Sequence, residues 1–548
     1  MKALLVYAKF PVTYWGFQYT LAITGTAASL PPLGLVTLAA QLPSSWQLAL
    51  VDLNVRSVRD EELRWADVVL VGGMLIQLGS MVEVLGRARA LGRLTVVGGP
   101  ATSAEPAALG TADIVFVGEA EGRVDELVRA IERCSKLPAV CSSPLPAAPL
   151  PAAGQGAAEP SACVLRPSGQ ARPAMSSVPV PRFDLLDISR YASMSLQYSR
   201  GCPFSCEFCD VIELFGRVPR VKSEEQVLAE LEALYERGYR GTLFLVDDNF
   251  IGNKRAVQSL LGALERWQRE HGRPFELYTE ASVNLAADPE LLGAMVRAGF
   301  TSVFLGIETP SRAALSEAGK AQNLRSDLAQ AVARITAAGI EVMGGFIVGF
   351  DQDDESVFEL QRAFISSMPI PMAMVGVLMA LPNTALWRRL EREGRLCTDA
   401  TGDQFSRPNF VPRMDEHLLL EGYAQLLREL YSARSYFDRC RRYIDHSRAS
   451  GRSRGVHSGR DIRTFLRSIW TLGIVGKRRG HYWRLLAYSL WRAPHTFSWS
   501  VGHAIQGEHM IRYTEQDVLP RLAQAIAEVR RPRASSPPVT TARAPVAA

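Results

Sequence analysis

The sequence predicts an α/β chain, with two separate arrays of alternating strand and helix joined by a linker and followed by an all-helical region. Three observations carry this. Short apolar runs alternate with amphipathic stretches over residues 1–133 and again over 182–412. A span rich in Pro, Ala, Ser and Gly, 134–181, separates the two arrays, and beyond Pro412 the strand-like runs stop. At 548 residues the chain is also too long for one hydrophobic core, so several domains are expected.

In the first array the runs "KALLVYA", "QLALVDLN", "DVVLVGG", "LTVVGG" and "DIVFVG" have the continuous apolar character of strands buried on both faces in a parallel sheet. Their spacing suits βαβ units, and residues 1–133 read as Rossmann-like. Each run ends in Gly or Asp, where a doubly wound sheet builds its ligand crevice. Gly72, Gly73 and Met74, then Gly98, Gly99 and Pro100, then Gly118 and Glu119, put small residues at three strand ends. Backbone there can approach a large flat or phosphate-bearing ligand closely. No G-x-G-x-x-G is present, and no histidine precedes His271.

The span 134–181 ("SSPLPAAPLPAAGQGAAEPSA") holds too little apolar surface to offset its ordering entropy and is expected to be a partly disordered linker. Its cysteines, Cys134, Cys141 and Cys163, lack metal-ligand spacing. From 182 to 412, "TLFLVDDNF", "FELYTEASVNL", "SVFLGIETP", "IEVMGGFIVGF" and "AMVGVLMAL" alternate with amphipathic helices, which predicts a full or partial βα barrel with its site at the C-terminal strand ends. Residues 413–530 read as helical and 531–548 as a frayed tail.

Hydrophobic content of 47% and charged content of 21% are those of an ordinary globular protein. No run of eighteen apolar residues suggests a membrane span, and "MKALLVYAKF" is too short an apolar start for a signal peptide, so a cytoplasmic location is expected. The net charge of +5 is uneven: residues 434–492 carry 15 Lys or Arg against 3 acids. There Arg is interleaved with Trp470, Trp483 and Trp491, a pattern suited to a helical cap with a solvated basic face or to peripheral contact with the inner membrane face. Its Trp and Leu content disfavours nucleic acid. His481, His503 and His509 lie in the same region, where lone helical histidines are more often structural than catalytic.

Three of the eight cysteines fall within eight positions, Cys202-x3-Cys206-x2-Cys209, after the strand-like "MSLQYS". Three thiolates from one loop can hold three corners of a [4Fe–4S] cube and leave the fourth iron open to another ligand. A structural zinc would want a fourth ligand, and the nearest histidine is His271.

This spacing, with Phe208 before the last cysteine and at the opening of a βα barrel, resembles the radical SAM superfamily. The resemblance implies that the open iron chelates S-adenosylmethionine and that reduction yields a 5′-deoxyadenosyl radical. It implies cofactor contacts at Phe208, at "VDDNF" (Asp247, Asp248, Asn249), at "TEASVN" (Glu280, Ser282, Asn284), at "GIET" (Gly306, Glu308) and at "GGFIVGF". The chain departs from the family in lacking a Gly-Gly-Glu element. With the strand-end glycines upstream, the layout is similar to the cobalamin-binding, class B branch, which assigns Gly72, Gly73, Met74, Leu75, Gly98, Gly99, Pro100, Gly118 and Glu119 to cobalamin. The Asp-x-His-x-x-Gly element of many cobalamin proteins is absent, so no histidine of this domain can ligate cobalt, and Met74 or Leu75 is expected on the cobalt face.

Finer still, "PPLGL", "GGPATS", "VPRFDLLD", "SLQYSRGCPFSCEFCD", "HYWRLLAYSLWRAP" and "AIQGEHM" resemble the subfamily that includes hopanoid C-2 methylases. This implies methyl transfer to an unactivated carbon of an apolar, hopanoid-like lipid or small-molecule substrate, with electrons from a flavodoxin- or ferredoxin-type donor. The rivals are a cyclase or rearrangement enzyme using the same cofactors, and a non-catalytic cobalamin and iron–sulfur sensor. A tRNA methylthiotransferase is disfavoured, because 1–133 lacks three further cluster cysteines.

Overall fold

The computed structural model describes residues 1–136, 163–167, 172–398, 400–447 and 459–529. The tail 531–548 and most of the span read as linker lie outside the described residues. The chain divides into two compact units, each described by itself: Met1–Gly16 with Thr26–Tyr198 and Arg220–Arg240, and Phe17–Gly25 with Ser199–Pro219 and Gly241–Ala548.

In the first unit, strands β1 (Lys2–Tyr7), β2 (Gln47–Asp52), β3 (Val68–Gly72), β4 (Leu94–Gly98), β5 (Ile114–Phe116) and β6 (Cys163–Leu165) form a parallel sheet in the order β2-β1-β3-β4-β5-β6. The alternation of side chains across each strand divides the apolar residues between two cores. Leu4, Val6, Val69, Val71, Val97 and Val115 face one layer, while Ala3, Val68, Leu70, Val96, Ile114 and Phe116 face the other. That is why these runs are continuously apolar. The order reverses between β1 and β3, the switch point at which doubly wound sheets open a crevice. β6 falls inside the span read as linker. Its three residues pair with β5 and extend the sheet by one strand.

Three short strands follow, β7 (Met194–Leu196), β8 (Ser199–Arg200) and β9 (Arg220–Val221), with the cysteine loop between the last two in sequence. In the second unit β10 (Gly241–Leu245), β11 (Phe275–Ala281), β12 (Phe300–Glu308), β13 (Glu341–Val348) and β14 (Ala373–Val377) pair in parallel and in sequence order. Helices Lys254–Glu270, Pro289–Ala298, Leu328–Ala337 and Ser356–Ser367 return between them, giving a partial βα barrel.

Beyond it the described residues are largely helical, as expected, from Glu416–Leu430 to Ala433–His446 and again from Gly459–Ser468 to Leu519–Val529. Buried Arg439 ties this region to the start of β14, donating to the carbonyls of Ile370 at 3.1 Å and Pro371 at 3.3 Å. The segment Phe17–Gly25 packs among the same helices, where the Tyr19 hydroxyl donates to Asp517 at 2.5 Å. Among the described residues, no helix is long and apolar enough to cross a membrane.

Candidate functional site

The cysteine loop begins at Gly201, whose φ of +97° lies in the left-handed region. A Cβ there would stand 2.7 Å from the Gly216 carbonyl oxygen, so this turn requires glycine. Cys202 N–H donates to the same carbonyl at 3.2 Å, and Cys209 N–H to Cys206 O at 3.3 Å, so backbone hydrogen bonds help set the curl of the loop. Asp247 and Asp248, in the turn after β10, hold its start. Asp247 accepts from Ser199 N–H, and Asp248 Oδ2 accepts from Gly201 N–H at 2.8 Å.

Two side-chain amides address the thiols. Asn249 Nδ2 lies 3.8 Å from Cys202 Sγ, and Gln322 Nε2 lies 3.8 Å from Cys206 Sγ. Burial pushes the Cys202 and Cys209 thiols above their ordinary pKa, so without a metal the fold holds both as neutral thiols. Amide N–H groups aimed at sulfur suit thiolates, and Ser199 Oγ and Gln322 Oε1 are buried with no partner among the described residues. Among those residues no three His, Cys, Asp or Glu side chains converge as tightly as a single ion needs. Three thiols on one loop, with amide donors beside two of them, are the donor set of a cluster that leaves one iron open.

The remaining polar groups gather at the C-terminal strand ends. Glu280 lies at the end of β11, one residue before Ala281 and close to Ser282, whose hydroxyl donates to Asn284 Oδ1 at 2.6 Å and accepts from Asn249 Nδ2 at 3.2 Å. Burial, reinforced by the charges of Asp248 and Asp247, raises Glu280 to about 8. Burial likewise raises Asp248 to about 6, against the hydrogen bond from Gly201. Glu308 closes β12 at a register shift and takes the left-handed φ of 64°, uncommon for a residue with a Cβ. It pairs with Lys320, whose ammonium lies 5.7 Å from the Phe208 ring centroid. Burial by itself would lower Lys320, but Glu308 and the nearby cysteines hold it above the ordinary lysine value. Phe208 meets Phe350, after β13, edge to face at 6.0 Å. The structure therefore brings Cys202, Cys206, Cys209, Phe208, Asp247, Asp248, Asn249, Glu280, Ser282 and Glu308 to one end of one barrel.

In the first unit the three strand-end turns interlock. Gly73 O, after β3, accepts from Ala101 N–H at 3.2 Å, and Gly118 N–H, after β5, donates to Ser103 Oγ at 2.9 Å. Gly99 follows β4 at φ +100°, where a Cβ would stand 3.4 Å from Gly73 O. Gly72, Gly98 and Pro100 complete these turns, and a Cβ at Gly72 would stand 3.0 Å from Leu35 and one at Gly73 3.0 Å from Met81, so the missing side chains let the three turns pack closely at one edge of the sheet. Met74 beside Leu75 is half exposed. Glu119 is instead held by Arg220 in a two-pronged pair at 2.8 and 3.1 Å.

Family models match along the chain in the same order: a B12 binding domain over 19–128, the Radical SAM superfamily over 196–363, and a domain of unknown function, DUF4070, over 384–519. An uncharacterized methyltransferase of Synechocystis sp. is 39% identical, with 94% of this chain and 92% of that protein aligned. The hopanoid C-2 methylase of Rhodopseudomonas palustris is 33% identical over 88% of each. The chain belongs to the B12-binding radical SAM family. Among solved structures, the cobalamin-dependent S-adenosylmethionine radical enzyme OxsB, with aqua-cobalamin and S-adenosylmethionine bound, shares the fold with a TM-score of 0.57 at 14% identity. It covers 96% of this chain and 83% of its own.

Against the family pattern, sequence reasoning passed over Lys320 and Gln322. Both lie in "EAGKAQN", a stretch with no motif, Lys320 just before and Gln322 within the short helix Ala321–Leu324, and reach the site only through the packing of the β12 return. The one signal available was a Gly-Lys pair shortly after a strand that ends in Glu. His503 proves structural. It lies against Glu341 at the N-terminal end of β13, with Nε2 and Oε1 2.7 Å apart, at the opposite end of that strand from the cysteines.

Proposed function

We propose that this chain is a cobalamin-dependent radical SAM methyltransferase acting on an unactivated carbon of an apolar substrate, a hopanoid-like lipid in the finer reading. Residues 1–133 would hold cobalamin, 182–412 the cluster and S-adenosylmethionine, and 413–530 would close the barrel from its far end. The observation that carries the reading is the under-neutralised acid cluster beside the cysteines. Asp247, Asp248 and Glu280 crowd one strand-end mouth in which Lys320 is already engaged by Glu308. Buried carboxylates left in this state favour a cationic ligand, and S-adenosylmethionine carries both a sulfonium and an ammonium.

Cys202, Cys206 and Cys209 would bind the cluster, with Asn249 and Gln322 donating to its sulfurs. Phe208 would border the adenine, Asp247 and Asp248 would fix the loop and face the methionyl end, and Glu280, Ser282 and Glu308 would line the ribose side. Gly72, Gly73, Gly98, Gly99, Pro100 and Gly118 would admit the corrin, with Met74 and Leu75 on its cobalt face and Glu119 acting through Arg220. The bound groups supply one-electron chemistry and a methyl donor; the chain supplies orientation and excludes water. A small electron donor of flavodoxin or ferredoxin type, and peripheral contact with the inner membrane face through 434–492, belong to the same reading.

The test is 5′-deoxyadenosine formation by the reconstituted, reduced protein beside a Cys206→Ala variant. Equal yields would remove the radical reading. A protein that shows no corrinoid absorbance after reconstitution would remove cobalamin and leave the radical step standing.

A further inference from the structure

Along the helix Gly459–Ser468 and the π-helical turn Ile469–Ile474, the large side chains of Ile462, Leu466 and Trp470 follow one another at four-residue intervals and all face solvent. On the next helix, Arg479–Arg492, the side chains of Trp483, Leu490 and Trp491 also face solvent. The two stretches are tied together, since the Trp483 indole N–H donates to the Gly473 carbonyl at 2.9 Å. Trp470 is 62% exposed and Trp491 is 79% exposed, and Ile474 and Val475 are open beside them. Single exposed apolar residues are ordinary, but this many within thirty positions mark an interaction surface.

The charges around them are almost all of one sign. Arg463, Lys477, Arg479 and Arg484 form no ion pair among the described residues. Between the helices Ala433–His446 and Arg479–Arg492 lies a cavity of about 320 Å³ lined by Arg434, Arg441, His481 and Arg484, with Phe437 and Leu485 as its apolar wall. Its one acid is Asp438, paired with Arg441 and 4.0 Å from Arg434. His481 stacks on Phe437 with ring centroids 5.4 Å apart, and burial together with Arg484 and Arg441 lowers its pKa, as a positive local field requires. Three guanidinium forks around one small cavity match a phosphate group.

We propose that this cavity binds the phosphate headgroup of an anionic lipid while Ile462, Leu466, Trp470, Leu490 and Trp491 insert among the acyl chains, docking the protein on a bilayer. The apolar side chains decide between a lipid and a free phosphate ester, because a soluble phosphate uses none of them. The arrangement is that of an interfacial helix pair, apolar residues toward the membrane and arginines at headgroup level. It deepens the membrane contact named above and does not depend on which carbon is methylated.

The test is co-sedimentation of the full-length, reconstituted protein with vesicles of phosphatidylcholine alone or mixed with phosphatidylglycerol. The proposal predicts binding to the mixed vesicles only. At about one kcal/mol per basic residue near a charged surface, Arg484→Gln should weaken it about fivefold. Trp470→Ser with Trp491→Ser should abolish it. Asp438→Asn, which removes the competing acid, should tighten binding, a gain that no folding defect produces. Unchanged iron content and helical circular dichroism confirm that each variant is folded. Sedimentation with neither vesicle, equal sedimentation with both, or no response to Asp438→Asn overturns the proposal. So does tight binding of inorganic phosphate without vesicles, which would assign the cavity to a soluble ligand. Loss of vesicle binding with 5′-deoxyadenosine formation intact would remove this docking surface and leave the chemistry untouched.

Discussion

Binding of S-adenosylmethionine should release a proton, and Glu280 should be its source. Burial and the charges of Asp248 and Asp247 raise this carboxyl from its ordinary value near 4.5 to about 8. The folded chain by itself therefore favours the neutral acid and loses stability as pH rises from the ordinary value toward about 8. A cationic ligand reverses the preference. With a pKa near 8, about 0.9 of the Glu280 sites hold a proton at pH 7 and about 0.1 at pH 9. If the ligand returns the carboxyl to its ordinary value, affinity should rise up to about 100-fold between about pH 6 and 9, or ~2.7 kcal/mol, and level off above. Asp248, at about 6, adds a smaller release at the acid end.

The assay is anaerobic titration calorimetry on the reconstituted, oxidised-cluster protein in buffers of different ionisation enthalpy. The amine of the ligand titrates in the same range, so the informative quantity is the difference between the wild type and Glu280→Gln. The variant should lack most of the proton release near pH 7. Identical release in the two proteins would refute the coupling of this buried carboxyl to the charge of the ligand.

Three further outcomes follow from the geometry. Gly201→Ala must push the loop off the Gly216 carbonyl at a left-handed φ, so iron content after reconstitution should fall severalfold while the α/β fold persists by circular dichroism. Gly99→Ala places a Cβ at φ +100° and ψ −170°, a conformation essentially reserved for glycine, and should cost about 1–3 kcal/mol of unfolding free energy together with corrinoid retention, leaving iron content unchanged. His503→Ala strands Glu341, which would keep only the Trp499 N–H at 2.7 Å, and should destabilise by about 3 kcal/mol with little change in turnover per folded molecule.

What was legible from the sequence was local. The cysteine loop reads directly because its cysteines are three and four residues apart. The strand ends read because Gly and Asp punctuate apolar runs. What escaped was made by distant packing. Lys320 and Gln322 gain meaning only against Glu308 and Cys206. The strand Cys163–Leu165 has too few residues for a pattern and is created by its pairing with β5. Arg439 reads as a solvated helix residue, yet lies buried against three carbonyls. Phe17–Gly25, written between two strands of the first unit, packs with the C-terminal helices of the second.

The central claim is methyl transfer to carbon through a radical. It is tested most directly by incubating the reduced, reconstituted protein with trideuteriomethyl-labelled S-adenosylmethionine and an apolar lipid extract, then analysing the products by mass spectrometry. The account predicts a lipid carrying one intact trideuteriomethyl group, formed together with 5′-deoxyadenosine and absent for Cys206→Ala. Deoxyadenosine accompanied by an unmethylated, rearranged product would contradict it.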